Sequence, residues 1–540
     1  MRAGLARRRG QGGFTLIELT ISLVAGLIVA MAVVGVSKEA TNTFHEEVRV
    51  SAAEMGLRVA MERIRLDLQR AAYMGTPALL GDPNVTHIVN APAPANLSNF
   101  TGATVPYNLQ NLAGVNVYPQ GNAPSGAIVP STVVLDLTAN TQLGLQASGS
   151  GTLPPTLPTM ATLAPDAIDI AGNMSSSDEY PTGVVWGPPW GPPIPGVPAG
   201  CATTVALSLQ MTSPSGWRIR NAETLGSANA GWVNGTALQA IFHPGQNTGS
   251  SFFLKVTDSA GNTQYVVGCP GQLNAAVYTP PGASVTALPV AMLYLAPGST
   301  LIASQQTGGH GGISGLSPGL ITVSPLQVTR WSIQSPAQVT LAAAAVGSTN
   351  TYFYNQTATA TSDPTDFLLT RSYVDVSANC GSTATPCPVD PFTTEIIAEY
   401  AVDLKFGLTV DSFPNPQCQG VTAFPCPTAA PVYTGFALTN IPMDSAPTAF
   451  KPYGAVEGTY NPSAGPQRIR DVQVRIGIRS PFGDRAASLP VPPETAIPNG
   501  YLYRYLLNAS ASHYTPAAPY ARVREATTEV NLPNQSRVYW

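Results

Sequence analysis

An α+β protein is predicted: one long N-terminal helix, transmembrane in its first half, packed on a β-rich head of antiparallel sheet that carries a large Gly/Pro-rich insertion. Three observations predict it. Phe14 to Val36 is an apolar run broken by one carboxylate, Glu18. After it, apolar residues recur at helical spacing, with no proline until Pro77. The whole chain of 540 residues holds 50 Gly, 51 Pro and only 10% charged residues, a composition that favours turn-rich β structure over helices.

The apolar run is 23 residues long, enough at ~1.5 Å per residue to cross a hydrocarbon core of roughly 30 Å. Arg2, Arg7, Arg8 and Arg9 precede it and positions 1 to 13 hold no acid. The positive-inside bias therefore keeps the N-terminus cytoplasmic and sends the remainder outward. A secretory signal has an apolar core of roughly 7 to 15 residues before a small-residue cleavage site. Ala30-Met31-Ala32 has the form of such a site, but Val33, Val34 and Val36 continue the run past it.

Glu18 is the anomaly within that run. A charge at mid-bilayer costs of order 2.5 to 3.5 kcal/mol on insertion scales and marks function. Cutting the chain after Gly13 would place a free ammonium on Phe14, four residues before Glu18 and on the same helix face, where it pairs within the chain or with a neighbouring subunit. The other reading puts Glu18 near the interface, favoured by the positive end of the helix dipole.

The string Gly13-Phe14-Thr15-Leu16-Ile17-Glu18-Leu19 resembles the type III signal of type IV pilins and pseudopilins. The resemblance implies cleavage between Gly13 and Phe14 by a membrane prepilin peptidase, N-methylation of Phe14, and a role for Glu18 in docking subunits into a helical fibre. It implies as partners other major and minor pilins, the inner-membrane assembly platform, and lipid before assembly. The location it implies is a single-pass inner-membrane protein with a periplasmic head, moving to a cell-surface pilus. A plain membrane anchor with a stray glutamate is the alternative.

Beyond the membrane, Leu57, Met61, Ile64, Leu68 and Ala72 follow the period of an amphipathic helix, with Arg58, Glu62, Arg65 and Asp67 mostly off that stripe. Gly75-Thr76-Pro77 is the stop signal. One helix of roughly 60 residues, on the order of 90 Å, is expected over 14–75, its first part (14–36) in lipid. Gly26 and Gly35 lower helix propensity in water, and in membrane helices they let neighbours approach closely.

The net charge is −4, and loss of a leader spanning 1–13 removes four arginines more. No basic surface for nucleic acid follows from that balance. The six cysteines, Cys201, Cys269, Cys380, Cys387, Cys418 and Cys426, all lie past the membrane segment and read as disulfides of an exported head. Short loops would close with Cys380–Cys387 and Cys418–Cys426, leaving Cys201 for Cys269. The rival, zinc, needs tighter spacings and a nearby histidine. No metal and no cofactor are expected.

Residues 76–320 read as a variable insertion with strands at Asp166–Ile170, Thr204–Leu209, Ser251–Val256 and Gln264–Val267, and a run at Thr132–Leu137. Trp186 to Pro193 reads as a rigid loop or a polyproline ligand. From 321 to 540 the pattern is more regular, with strands at Val328–Ile333, Phe367–Arg371 and Lys405–Val410. The string Glu395 to Leu404 opens as a short helix. Asp471 to Arg479 alternates as a half-buried strand, with Val472, Val474, Ile476 and Ile478 on one face. This order, with Tyr520-Ala521-Arg522-Val523-Arg524 and Thr527 to Asn534 at the end, resembles the PilW-type minor pilins. The resemblance implies a pilin-like head, help in starting fibre assembly, and a place at the fibre tip. Such heads are shorter than this one, so any individual function falls in the insertion.

Catalysis is not expected. Gly315-Leu316-Ser317-Pro318-Gly319 has the form of a nucleophile elbow, but Pro318 has no N–H to give an oxyanion hole. His45, His87, His243, His310 and His513 form no metal or nucleophile pairing in sequence. Asp258, Gly261 and Asn262 suit a turn better than a calcium loop. Two rivals to a pilus subunit remain: a pseudopilin of a type II secretion system, and a tip adhesin that binds through 77–320.

Overall fold

The computed structural model describes residues 15–79, 82, 112–119, 165–187, 197, 201–203, 205–210, 213–215, 241–242, 252–278, 288–296, 301, 321–334, 367–374, 389–390, 393–411, 437–443, 445–454, 464–483, 504–506 and 520–535. Helix α1 runs Leu16–Gln69 and is followed by fifteen described strands, all paired antiparallel, so the α+β layout holds. Packing divides the chain into two units, Met1–Ala53 and Glu54–Trp540.

Helix α1 ends six residues before the expected boundary because the chain tightens into a turn over 70–74, where Ala72 and Met74 take positive φ angles of 57° and 52°. Asn534 Nδ2 donates to the carbonyls of Gln69 and Ala71, both at 3.1 Å, and so satisfies acceptors that a helix end leaves open. A Cβ at Gly172 would collide with the Arg70 carbonyl, so glycine lets the helix end press on the sheet.

The strands are β1 (Val115–Tyr118), β2 (Ala167–Gly172), β3 (Tyr180–Trp186), β4 (Ala206–Gln210), β5 (Phe252–Asp258), β6 (Thr263–Tyr278), β7 (Leu288–Leu295), β8 (Ile321–Gln334), β9 (Leu368–Tyr373), β10 (Glu395–Glu399), β11 (Ala401–Asp411), β12 (Leu438–Ile441), β13 (Ile469–Arg479), β14 (Arg504–Leu506) and β15 (Tyr520–Asn531). They make three layers of pairing. β12-β11-β13-β15-β14 form one sheet. A second sheet runs β1-β2-β8-β9-β10 through the later half of β8, where Ile168, Trp331, Arg371 and Glu395 stand in one row across four strands.

The third layer is a closed barrel. The early half of β8 pairs on both sides, Val323 lying between Tyr180 of β3 and Val256 of β5, and the circuit β3-β4-β7-β6-β5-β8 returns on itself. β5, β6 and β7 form a meander with β8 returning beside β5, a Greek-key order. All six strands send apolar side chains into one core: Tyr180, Leu207, Leu254, Val266, Leu293 and Val323 among them. The interior is thus filled rather than open, as expected for a small barrel.

The segment expected to open as a short helix is instead β10, with a bulge at Ile396/Ala398. Five residues are too few to be told apart by period, and tertiary pairing with β9 decides. Tyr400, at φ 58°, is the single-residue joint that carries the chain from the β10 sheet into β11 of the other. Asp166 ties the two sheets further: its N–H donates to the Leu404 carbonyl at 2.8 Å, and its carboxylate accepts from Lys405 Nζ at 3.0 Å and Phe406 N at 3.1 Å.

Candidate functional site

Within the N-terminal unit, the described side chains from Thr15 to His45 are exposed on every side, Leu16, Ile21, Leu27, Met31 and Val36 among them. A helix apolar all round belongs in lipid or inside a packed bundle, and this one is long and apolar enough to cross a membrane. Its hydroxyls are satisfied within the helix: Thr20 Oγ1 donates to the Ile17 carbonyl at 2.9 Å and Ser22 Oγ to that of Leu19 at 3.0 Å. That is what hydrocarbon demands of polar groups. A Cβ added at Gly26 or Gly35 would meet nothing within 4 Å, so the glycines leave room for a neighbour.

Glu18 sits in a capping box. Thr15 N and Thr15 Oγ1 donate to Glu18 Oε2 at 3.2 and 3.1 Å, and Glu18 N donates back to Thr15 Oγ1 at 3.3 Å. The first turn thereby satisfies its own donors and supplies the carboxylate with two hydrogen bonds. The carboxylate keeps acceptor capacity for a cation. Thr15-x-x-Glu18 ahead of an apolar run is the sequence signature of this cap. Gly13 and Phe14 lie outside the described residues.

From Glu54 onward α1 belongs to the head. Leu57, Ala60, Ile64, Leu68 and Ala71 are buried. Asp67, expected off the stripe, is instead buried on it at 6% exposure. It lies one helical turn from Ile64 and seven residues from Ala60, so it has no choice but to face inward. Its Oδ2 accepts from Trp331 Nε1 at 2.9 Å and from Arg371 Nε at 2.7 Å, and Oδ1 accepts from a second Arg371 nitrogen at 3.3 Å. Burial alone pushes the Arg371 guanidinium down, but the Asp67 hydrogen bonds and charge outweigh it and hold the group above its ordinary value. Arg371 also reaches Glu395 at 3.7 Å, and Glu395 pairs with Arg63 at 3.3 Å. On the other side of the helix, Met55 (71%), Val59 (53%) and Leu66 (46%) face solvent. Among the described residues of this unit, the only other large apolar side chain so exposed is Leu438.

The remaining candidate residues are structural where they are described. Cys201 is bonded to Cys269, with Cα atoms 5.4 Å apart, over a cluster of Ala206, Met292 and Tyr294 on the barrel wall. Cys380, Cys387, Cys418 and Cys426 lie outside the described residues, as do His87, His243, His310, His513, Thr132–Leu137, the 315–319 string and 188–196. Asp258 accepts from the N–H groups of Ala260 and Asn262 and from Asn262 Nδ2, so its carboxylate serves the β5–β6 turn. Among the described residues no group of three metal-ligating side chains converges.

Residues 8–34 match the prokaryotic N-terminal methylation motif. No curated protein and no solved structure matches the chain. The motif is the prepilin-type signal and supports a type IV pilin- or pseudopilin-like role that is structural rather than enzymatic. A signal of this kind implies processing by prepilin peptidase and assembly with other pilins. With the apolar helix it fits an inner-membrane-anchored subunit that becomes surface-exposed.

Proposed function

We propose that this chain is a minor pilin of a type IV pilus, of PilW type, that helps start fibre assembly and sits at the fibre tip. The observation that carries the reading is the methylation motif over 8–34 on a helix that is apolar all round and has one capped carboxylate near its start. Residues 1–13 leave as a leader, Phe14 becomes the N-methylated first residue, and the 14–36 segment moves from lipid into a bundle of neighbouring helices. Glu18, already held by Thr15, takes the new ammonium of its own chain or of the next subunit. The 76–320 region is the individual insertion and 321–540 the pilin-like head, with all six cysteines as disulfide candidates. A pseudopilin would share each N-terminal feature, and the insertion is where an adhesin would bind.

The test is recovery in purified fibres. Glu18→Ala is expected to be processed normally and to be depleted from fibres, whereas Gly13→Leu retains the leader, seen by mass spectrometry of the N-terminal peptide. Equal recovery of Glu18→Ala and wild type overturns the reading. Loss of secretion with intact motility would move it to a secretion pseudopilus.

A further inference from the structure

Helix α1 presents apolar side chains on two opposite sides within the head: Leu57, Ala60, Ile64 and Leu68 inward, Met55, Val59 and Leu66 outward. Hydrophobic burial is non-directional, so it does not by itself decide which side the helix lays on the sheets. Asp67 does. Only one rotation places this carboxylate against both Trp331 Nε1 on β8 and Arg371 on β9, at 2.9 and 2.7 Å. Any other leaves the buried Arg371 guanidinium only the more distant Glu395 carboxylate, at 3.7 Å.

We propose that Asp67 is the positioning residue of α1, the rotational key that keeps the Met55–Val59–Leu66 side outward and available to a neighbouring helix. A buried polar contact that contributes register rather than stability is the best-attested use of such groups. The outward role of that side rests on the assembly reading above. The rotational role does not.

The experiment uses the full chain solubilised in detergent, with a reporter cysteine at Val59 or Ala60 and labelling by maleimide read on the α1 peptide by mass spectrometry. With the native network, Val59→Cys labels at least about tenfold faster than Ala60→Cys, since Ala60 is fully buried. The triple change Asp67→Leu, Trp331→Phe, Arg371→Met removes all three polar groups together, and Glu395 keeps Arg63 as its partner. It is expected to keep its melting temperature and to bring the two labelling rates within about threefold of each other. Asp67→Asn, which keeps an acceptor but not the charge, is expected to fall between. An unchanged rate ratio in the folded triple variant overturns the proposal. So does a triple variant that loses its cooperative transition, because the network is then a source of stability. Loss of rotation control with unaffected fibre recovery would leave this proposal standing and sink the assembly role.

Discussion

Asp166→Ala should weaken the link between the two sheets, while the backbone bond from the N–H of residue 166 to the Leu404 carbonyl remains. The Lys405 ammonium is 2% exposed and Asp166 1%, so the change strips a buried charge of its carboxylate and takes from Phe406 N its acceptor at 3.1 Å. Breaking a buried pair from one side costs about 3–5 kcal/mol, against a total of ~5–15 kcal/mol for a domain. Urea unfolding of the detergent-solubilised chain, followed by far-UV circular dichroism, would read the loss as a lower midpoint at constant slope. Adding Lys405→Met removes the buried charge as well and should restore more than half of it. The reasoning fails if Asp166→Ala costs under about 1 kcal/mol, or if the double variant is no more stable than the single.

Two further outcomes are expected. Burial and then the neighbouring Glu529 raise the Asp471 carboxyl above its ordinary value. A raised acid favours folding while protonated, so stability from this group is present below the unfolded value and is lost as pH rises through the folded one. Asp471→Asn should therefore raise the unfolding free energy at pH 7, by less than about 1 kcal/mol given its partial exposure to solvent, with the gain vanishing near pH 3. A gain of equal size at both pH values would refute it. In the barrel, a Cβ at Gly268 would run into the Phe252 ring, its cross-strand partner, so Gly268→Ala should cost about 1–3 kcal/mol in denaturant melts. Phe252→Leu should relieve part of that cost, and an additive double variant would show that the ring is not the obstacle.

What the sequence made legible is local. The apolar run, the helical period through Ile64 and Leu68, and the alternation of Val472, Val474, Ile476 and Ile478 are all repeated along a few turns or one strand, and each appears as helix or strand in the structure. What it hid is non-local. Barrel closure depends on β5 meeting β8 more than sixty residues on, and nothing in either strand announces it. Glu395–Glu399 is apolar enough for either state, and only its pairing with β9 settles it. Asp67 looks like a surface residue until Arg371, some three hundred positions away, supplies its counter-charge. The Thr15–Glu18 cap was local and readable from Thr15-x-x-Glu18, but the carboxylate was read toward an ammonium on Phe14 or on a neighbouring subunit and not toward Thr15.

Strand β8 has a lasting consequence for the architecture. Its early half closes the barrel and its later half forms the floor under α1, so one continuous backbone is common property of both. Such a module cannot be clipped out or transplanted as a cassette, because excising the barrel would fray the floor.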